Sequence, residues 1–126
     1  MTADGSAVMR LQRTIANPRT SAAQIRAIAA ELPTIGLEDA LAITLALLDR
    51  EPHTFSRTAA RWAARMTIER RLALVEAQLT LAALAALPGP AARAGAEALI
   101  ELSDRHDLRG VEDLLGGWLR IRGLGQ

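Results

Sequence analysis

Apolar residues recur along this chain every three or four positions, in blocks separated by proline, glycine or short polar runs. That spacing is helical. Val8, Leu11 and Ile15 share one side of a short helix expected over 6–16, which Asn17-Pro18 ends because the residue before a proline is pushed out of the helical region. The next helix starts at Thr20 or Ser21, where Ser21 and Gln24 have the spacing of a capping box. Ile25, Ile28, Ala29 and Leu32 form its apolar stripe, and Pro33 stops it. A third helix is expected over 37–50, with Glu38 and Asp39 in the first turn, where acids suit the positive end of the helix dipole. Leu37, Leu41 and Leu48 lie on one face of it, and Ile43 and Leu47 on a second. Glu51-Pro52-His53 breaks the chain before a helix over 54–69 with Thr54 as its cap. Phe55, Ala59, Trp62 and Met66 give that helix one narrow apolar stripe, and Arg57, Arg61 and Arg65 give it a second, basic one.

The run 72–87, LALVEAQLTLAALAAL, departs from this amphipathic pattern. Its only charge is Glu76, its other polar residues are Gln78 and Thr80, and its leucines project in every direction around a helix. A helix that is apolar all round must be covered all round. It is the centre of a bundle or part of an interface. Pro88-Gly89-Pro90 closes it, and Pro90 suits the first position of a helix running to about His106, with Ala91, Ala94, Ala98 and Leu102 as its inner face. Small residues there permit close helix approach. A loop over 107–110 leads to a last helix burying Val111, Leu114, Leu115 and Trp118, in which Gly116-Gly117 signals a bend or a close approach.

Residues 37–66 and 75–104 align without gaps at an offset of 38, pairing Glu38 with Glu76, Leu41 with Leu79, Ile43 with Leu81 and Pro52 with Pro90. Each copy reads as helix, proline turn, helix, and the period is near that of HEAT and armadillo repeats, about 40 residues. Shared helix-hairpin grammar explains much of the match. The expected fold is all-α: stacked antiparallel helical hairpins of about six or seven helices, as a compact bundle or a short HEAT-like α-solenoid. Residues 1–6 are expected to be disordered, 7–122 to form one helical domain, and 123–126 to be a loose tail.

Composition narrows this picture without changing it. Alanine and leucine, both strong helix formers, make up more than a third of the 126 residues, and the strand formers Val, Tyr and Phe are scarce. That length supports a core without staples, and with no cysteine there is no disulfide, thiol nucleophile or cysteine-based zinc site. All 15 basic residues are arginine, which with the Ala, Gly, Leu and Pro content reads as the codon bias of a GC-rich, bacterial genome. Residues 1–10 lack a basic start and apolar run, and 72–87 is too short to span a bilayer, so a cytoplasmic location is expected.

Charge is unevenly placed. From Arg50 to Arg71 six arginines face two glutamates, a local +4, and from Glu97 to Asp113 six acids face two arginines, a local −4. Arg57, Arg61 and Arg65, extended by Arg70 and Arg71, form a ridge that could follow a phosphate backbone or an acidic partner. The ridge lacks the aromatic residues that stack bases and the Asn or Gln that reads them, so an ordinary solvated face is the simpler reading. His53 and His106 have no second ligand at metal-binding spacing, and no serine lies in a nucleophile elbow. No catalytic residue, metal or cofactor is expected. The function expected is a non-catalytic protein–protein interaction or scaffold module that self-associates through Leu74, Leu79, Leu84 and Leu87. Nucleic-acid binding by the arginine ridge is the alternative.

Overall fold

Two hydrogen bonds start the helix that follows Ser21. The Ser21 hydroxyl accepts the Gln24 backbone N–H at 3.2 Å, and the Gln24 side chain accepts the Ser21 N–H at 2.9 Å. This is the reciprocal capping box read from the spacing of the two residues. The computed structural model describes residues 9, 13–17, 19–30 and 35–124. The expected disorder over 1–6, most of the helix expected over 6–16, the stops at Pro18 and Pro33, Leu32, the side chains of Ile28 and Ala29, and the last two residues of the tail lie outside that description.

The described residues are helical, with no strand among them. A helical turn at 13–16 precedes α1 (Ala22–Ala30), α2 (Leu37–Arg50), a 3-10 turn (Pro52–Thr54), α3 (Phe55–Glu69), α4 (Leu74–Ala86), α5 (Ala92–Arg105) and α6 (Arg109–Ile121). None of these helices is long and apolar enough to cross a membrane. The chain divides into two compact units, Met1–Phe55 and Ser56–Gln126.

In the first unit α1 packs on α2, and α2 on the 3-10 turn. Ile25, Ile43, Ala46 and Leu47 form its core, with Ile15, Ala22 and Ile35 against it. The expected double apolar face of α2 is present: Leu37, Leu41, Ile43, Leu47 and Leu48 are all buried. Arg50 ties the N-terminal segment to the end of this helix. Its guanidinium donates to the carbonyls of Ile15 at 3.1 Å, Asn17 at 2.9 Å and Thr20, spreading a planar fork of donors over the backbone of that segment. Thr54 belongs to the 3-10 turn, not to α3's first turn, and its hydroxyl donates to the Glu51 carbonyl at 3.0 Å.

In the second unit α5 packs against both α4 and α6. The stripe on α3 is buried, as its spacing implies: Ala59, Trp62 and Met66 in this unit, and Phe55 as the last residue of the first. On α5 the inner face is displaced by about one position from the expected one. Ala91 and Ala94 are exposed, whereas Ala92, Gly95, Ala96, Leu99, Leu102 and Ser103 are buried. The shift follows from the start of the helix: Pro90 and Ala91 lie in the turn, and the first helical residue is Ala92. Close approach occurs at Gly95, against α4, and not at Gly116-Gly117, where a Cβ would meet only Arg120 side-chain nitrogens at 3.6 and 3.7 Å. The loop expected over 107–110 is shorter than read, because α6 already begins at Arg109. Val111, Leu115, Trp118 and Leu119 are its buried residues.

Three helices of this unit end in the same way. Arg71, Asp107 and Gly123 take left-handed backbone, with φ of 52°, 57° and 72°. In each case the next residue's N–H bonds back five positions: Leu72 to Thr67, Leu108 to Ser103, Leu124 to Leu119. This geometry closes a helix and satisfies its orphan carbonyls. Gly123 suits it, but Arg71 and Asp107 carry a Cβ into a conformation that favours glycine.

Candidate functional site

α4 is amphipathic in the reverse sense. Its charged and hydroxyl residues point toward the protein, and of its large aliphatic residues only Leu84 does so, the others facing solvent. Glu76 is half-buried: one carboxylate oxygen accepts the Ala73 backbone N–H at 3.1 Å, and the other accepts His106 Nε2–H at 3.1 Å. A carboxylate only accepts, so the His106 proton must sit on Nε2 for this bond. Arg105 stands 3.9 Å from the same oxygen. These contacts hold the Glu76 carboxyl below its ordinary value, the Ala73 N–H most of all, then the His106 bond. Thr80 is fully buried and donates its hydroxyl to the Glu76 carbonyl at 2.8 Å, so it hides a polar group without needing a tertiary partner.

The opposite side of α4 is open. Leu74 is 74% exposed, Val75 72%, Leu81 48% and Leu79 36%. Gln78, Ala82 and Ala85 are exposed between them. Projected at 100° per residue these seven positions spread over an arc of about 160°, into which the half-buried Ala86 also projects at the C-terminal end of the helix. Gln78 is the only polar side chain in it, and no charge lies within it.

Of the four residues expected to mediate self-association, Leu74 and Leu79 lie on this face, whereas Leu84 and Leu87 are buried in the protein's own packing. The residues passed over were Val75 and Leu81. The signal that points to them is the position of the polar residues. If Glu76 and Thr80 are read as the inward side, the outward arc follows from the helical period alone.

The internal offset of 38 isolates the anomaly. Leu37, Leu41 and Ile43 of α2 are buried, and their counterparts Val75, Leu79 and Leu81 of α4 are exposed. The same apolar pattern is covered in one helix and bare in the other.

The arginine ridge is only partly available. Arg57, Arg61, Arg70 and Arg71 are exposed. Arg65 pairs with Glu69 one turn on, with Nη2 to Oε2 at 2.8 Å. Trp62 is buried, so no aromatic ring stands on the ridge. Among the acids of the C-terminal part, Glu97 pairs with Arg93 at 3.1 Å and Glu101 approaches Arg105 at 3.9 Å. Arg122 covers the Trp118 ring at 4.3 Å from its centroid, and the ring itself is buried, as its place on the apolar stripe of the last helix implies. His53 is exposed in the 3-10 turn. No cluster of His, Asp and Glu that could hold a metal ion occurs among the described residues. In the first unit an open depression of about 470 Å³ is lined by Arg13, Thr14, Asn17, Thr20, Gln24 and Ala27. It gathers one cation and neutral polar groups, with no paired acid and base.

No protein family, curated protein or solved structure matches the chain.

Proposed function

We propose that this protein is a non-catalytic interaction module whose working surface is the exposed face of α4, and that it self-associates through that face. The observation that carries the reading is the uncharged arc of Leu74, Val75, Leu79 and Leu81 on a helix whose charge faces inward. A protein surface rarely spends four large aliphatic side chains in one contiguous patch without a partner for them. The burial of the equivalent positions in α2 supports the same reading. On this view the helices belong to stacked antiparallel hairpins, a short α-solenoid or bundle with one uncovered side, and the protein acts in the cytoplasm.

Sedimentation velocity tests the reading. The wild-type chain forms an assembly, or holds a bound protein, that the Leu74→Arg and Leu81→Arg variants lose while keeping wild-type helicity. If both variants assemble and bind as the wild type does, the face has no such role.

A second reading has its own observation: Arg57, Arg61, Arg70 and Arg71 are exposed within one helix and the turn that follows it. Four phosphate contacts would give binding to double-stranded DNA a salt slope of roughly −3.6 on a log–log plot. Retardation that is absent at low salt, or that survives replacement of these arginines by alanine, eliminates it.

A further inference from the structure

The exposed face of α4 carries information about what covers it. Leu74, Gln78, Leu81 and Ala85 follow one another at i, i+4, i+7 and i+11, the spacing of a helix–helix seam. Val75, Leu79 and Ala82 flank that seam. The one polar side chain in the seam, Gln78, lies near the middle of the exposed arc. A primary amide has both an acceptor oxygen and a donor NH2, so it is complementary to a second copy of itself. A single polar residue in an apolar seam fixes its register, because any other alignment buries that residue without a partner.

We propose that α4 packs antiparallel against α4 of a second copy of this chain, across a two-fold axis that passes by Gln78. The proposal rests on the reading of this face as a self-association surface and gives that association its axis and register. Counting outward from the axis, Leu74 of one copy comes level with Ala82 of the other, large over small, and Val75 comes level with Leu81. A copy whose axis fell between Gln78 and Leu81 would set the amide against a leucine. A parallel copy would bring Arg70 and Arg71 beside their own mates, whereas the antiparallel one separates them by the length of α4, about 20 Å. The seven side chains offer roughly 500 Å² per copy, on the order of 1,000 Å² in all, the lower bound for a specific interface. The face holds no charge for a charged partner to complement, and none that its own copy would repel.

The absence of cysteine from the chain makes the geometry directly readable. Gln78→Cys, exposed and near the axis, should form a covalent dimer by itself under mild oxidation. Leu74→Cys should not, because two such sites are offset by about 12 Å along the helices, beyond the reach of a disulfide. Mixing Leu74→Cys with Ala82→Cys should restore cross-linking. Gln78→Glu should weaken the dimer at least 10-fold, and mixing it with Gln78→Lys should recover it. Replacing the amide by leucine should leave the dimer intact but allow Leu74→Cys to cross-link with itself, because the register is released. Self-cross-linking of Leu74→Cys in the wild-type background as fast as Gln78→Cys overturns the antiparallel axis. A wild-type chain that sediments at 13.5 kDa up to millimolar concentration overturns the second copy as occupant. If that monomer still binds another protein and Leu74→Arg abolishes the binding, the two-fold proposal falls together with self-association, and the face stands as a surface for another protein. If the face variants change nothing, both proposals fall.

Discussion

Gly95 lies so close to Ala83 that a Cβ placed on it would come 2.5 Å from the Ala83 carbonyl oxygen and 3.0 Å from the Ala86 methyl. The obstacle is backbone, which cannot rotate away, so α4 and α5 must separate to admit a methyl group. Alanine's better helix propensity recovers about 1 kcal/mol of the cost of overpacking, which runs about 1–3 kcal/mol. Gly95→Ala should therefore fall short of that propensity gain and lower stability by up to about 2 kcal/mol in urea denaturation. A variant more stable than the wild type by the full propensity gain of about 1 kcal/mol would show that the helices do not meet at this distance.

The paired glycines of α6 give the opposite expectation. Neither Gly116 nor Gly117 has another helix within 4 Å of its virtual Cβ, and neither has positive φ. Each costs the helix backbone entropy without providing a close approach. Gly116→Ala and Gly117→Ala should each raise stability by about 0.5–1 kcal/mol, read as a higher melting temperature. A loss of stability in either would reveal a contact at that position that the structure does not contain.

Arg71 and Asp107 end α3 and α5 in left-handed backbone, where a side chain costs about 1–2 kcal/mol relative to the ordinary helical region. Glycine removes that cost but adds freedom to the unfolded chain. Arg71→Gly and Asp107→Gly should each be neutral or stabilising by up to about 1 kcal/mol, against the usual trend for glycine substitution. Amide exchange of Leu72 and Leu108 reports the same event locally, since their N–H groups close the two helix ends.

The Glu76 carboxyl should make stability depend on acid. Its folded value lies below its ordinary 4.5, chiefly because the Ala73 N–H bonds to the ionised form, with the His106 bond next. The unfolded chain therefore takes up the proton at a higher pH than the folded one. The stabilisation is complete above the ordinary value and is lost as pH falls below it through the lowered value. In Glu76→Gln the decline of stability between pH 5 and pH 3 should be shallower than in the wild type. Parallel declines would mean that the carboxylate is not held by these partners. Glu51, lowered chiefly by its bond from Arg26, adds a second such group in the first unit, so a Glu51→Gln variant is the matching control.

Ser21 and Gln24 allow a last, local check. Ser21→Ala removes the acceptor of the Gln24 N–H and should cost about 1 kcal/mol, with faster amide exchange confined to the first turn of α1.

Much of this architecture could be read from local chemistry. The Ser21–Gln24 box, the acids at the start of α2, the bounds of α2 and the buried stripe of α3 depend on residues within one or two turns of each other, and helical period orders them without reference to the rest of the chain. The helix ends at Arg71 and Asp107 could not be read in this way. Local signals favour glycine at such positions, and here the chain turns on residues that resist the conformation.

What covers each face of an apolar helix is a different kind of fact. The sequence alone required that 72–87 be covered on every side, and it described α2 in nearly the same terms. Only the tertiary structure separated the two, burying Leu37, Leu41 and Ile43 but leaving Val75, Leu79 and Leu81 bare. It also turned Glu76 inward to His106, where a sequence pattern places a lone charge outward by default. The physical reason is that hydrophobic burial has no direction of its own. A periodic sequence fixes which residues share a face, but long-range packing decides which face finds a neighbour within the chain and which is left for another molecule.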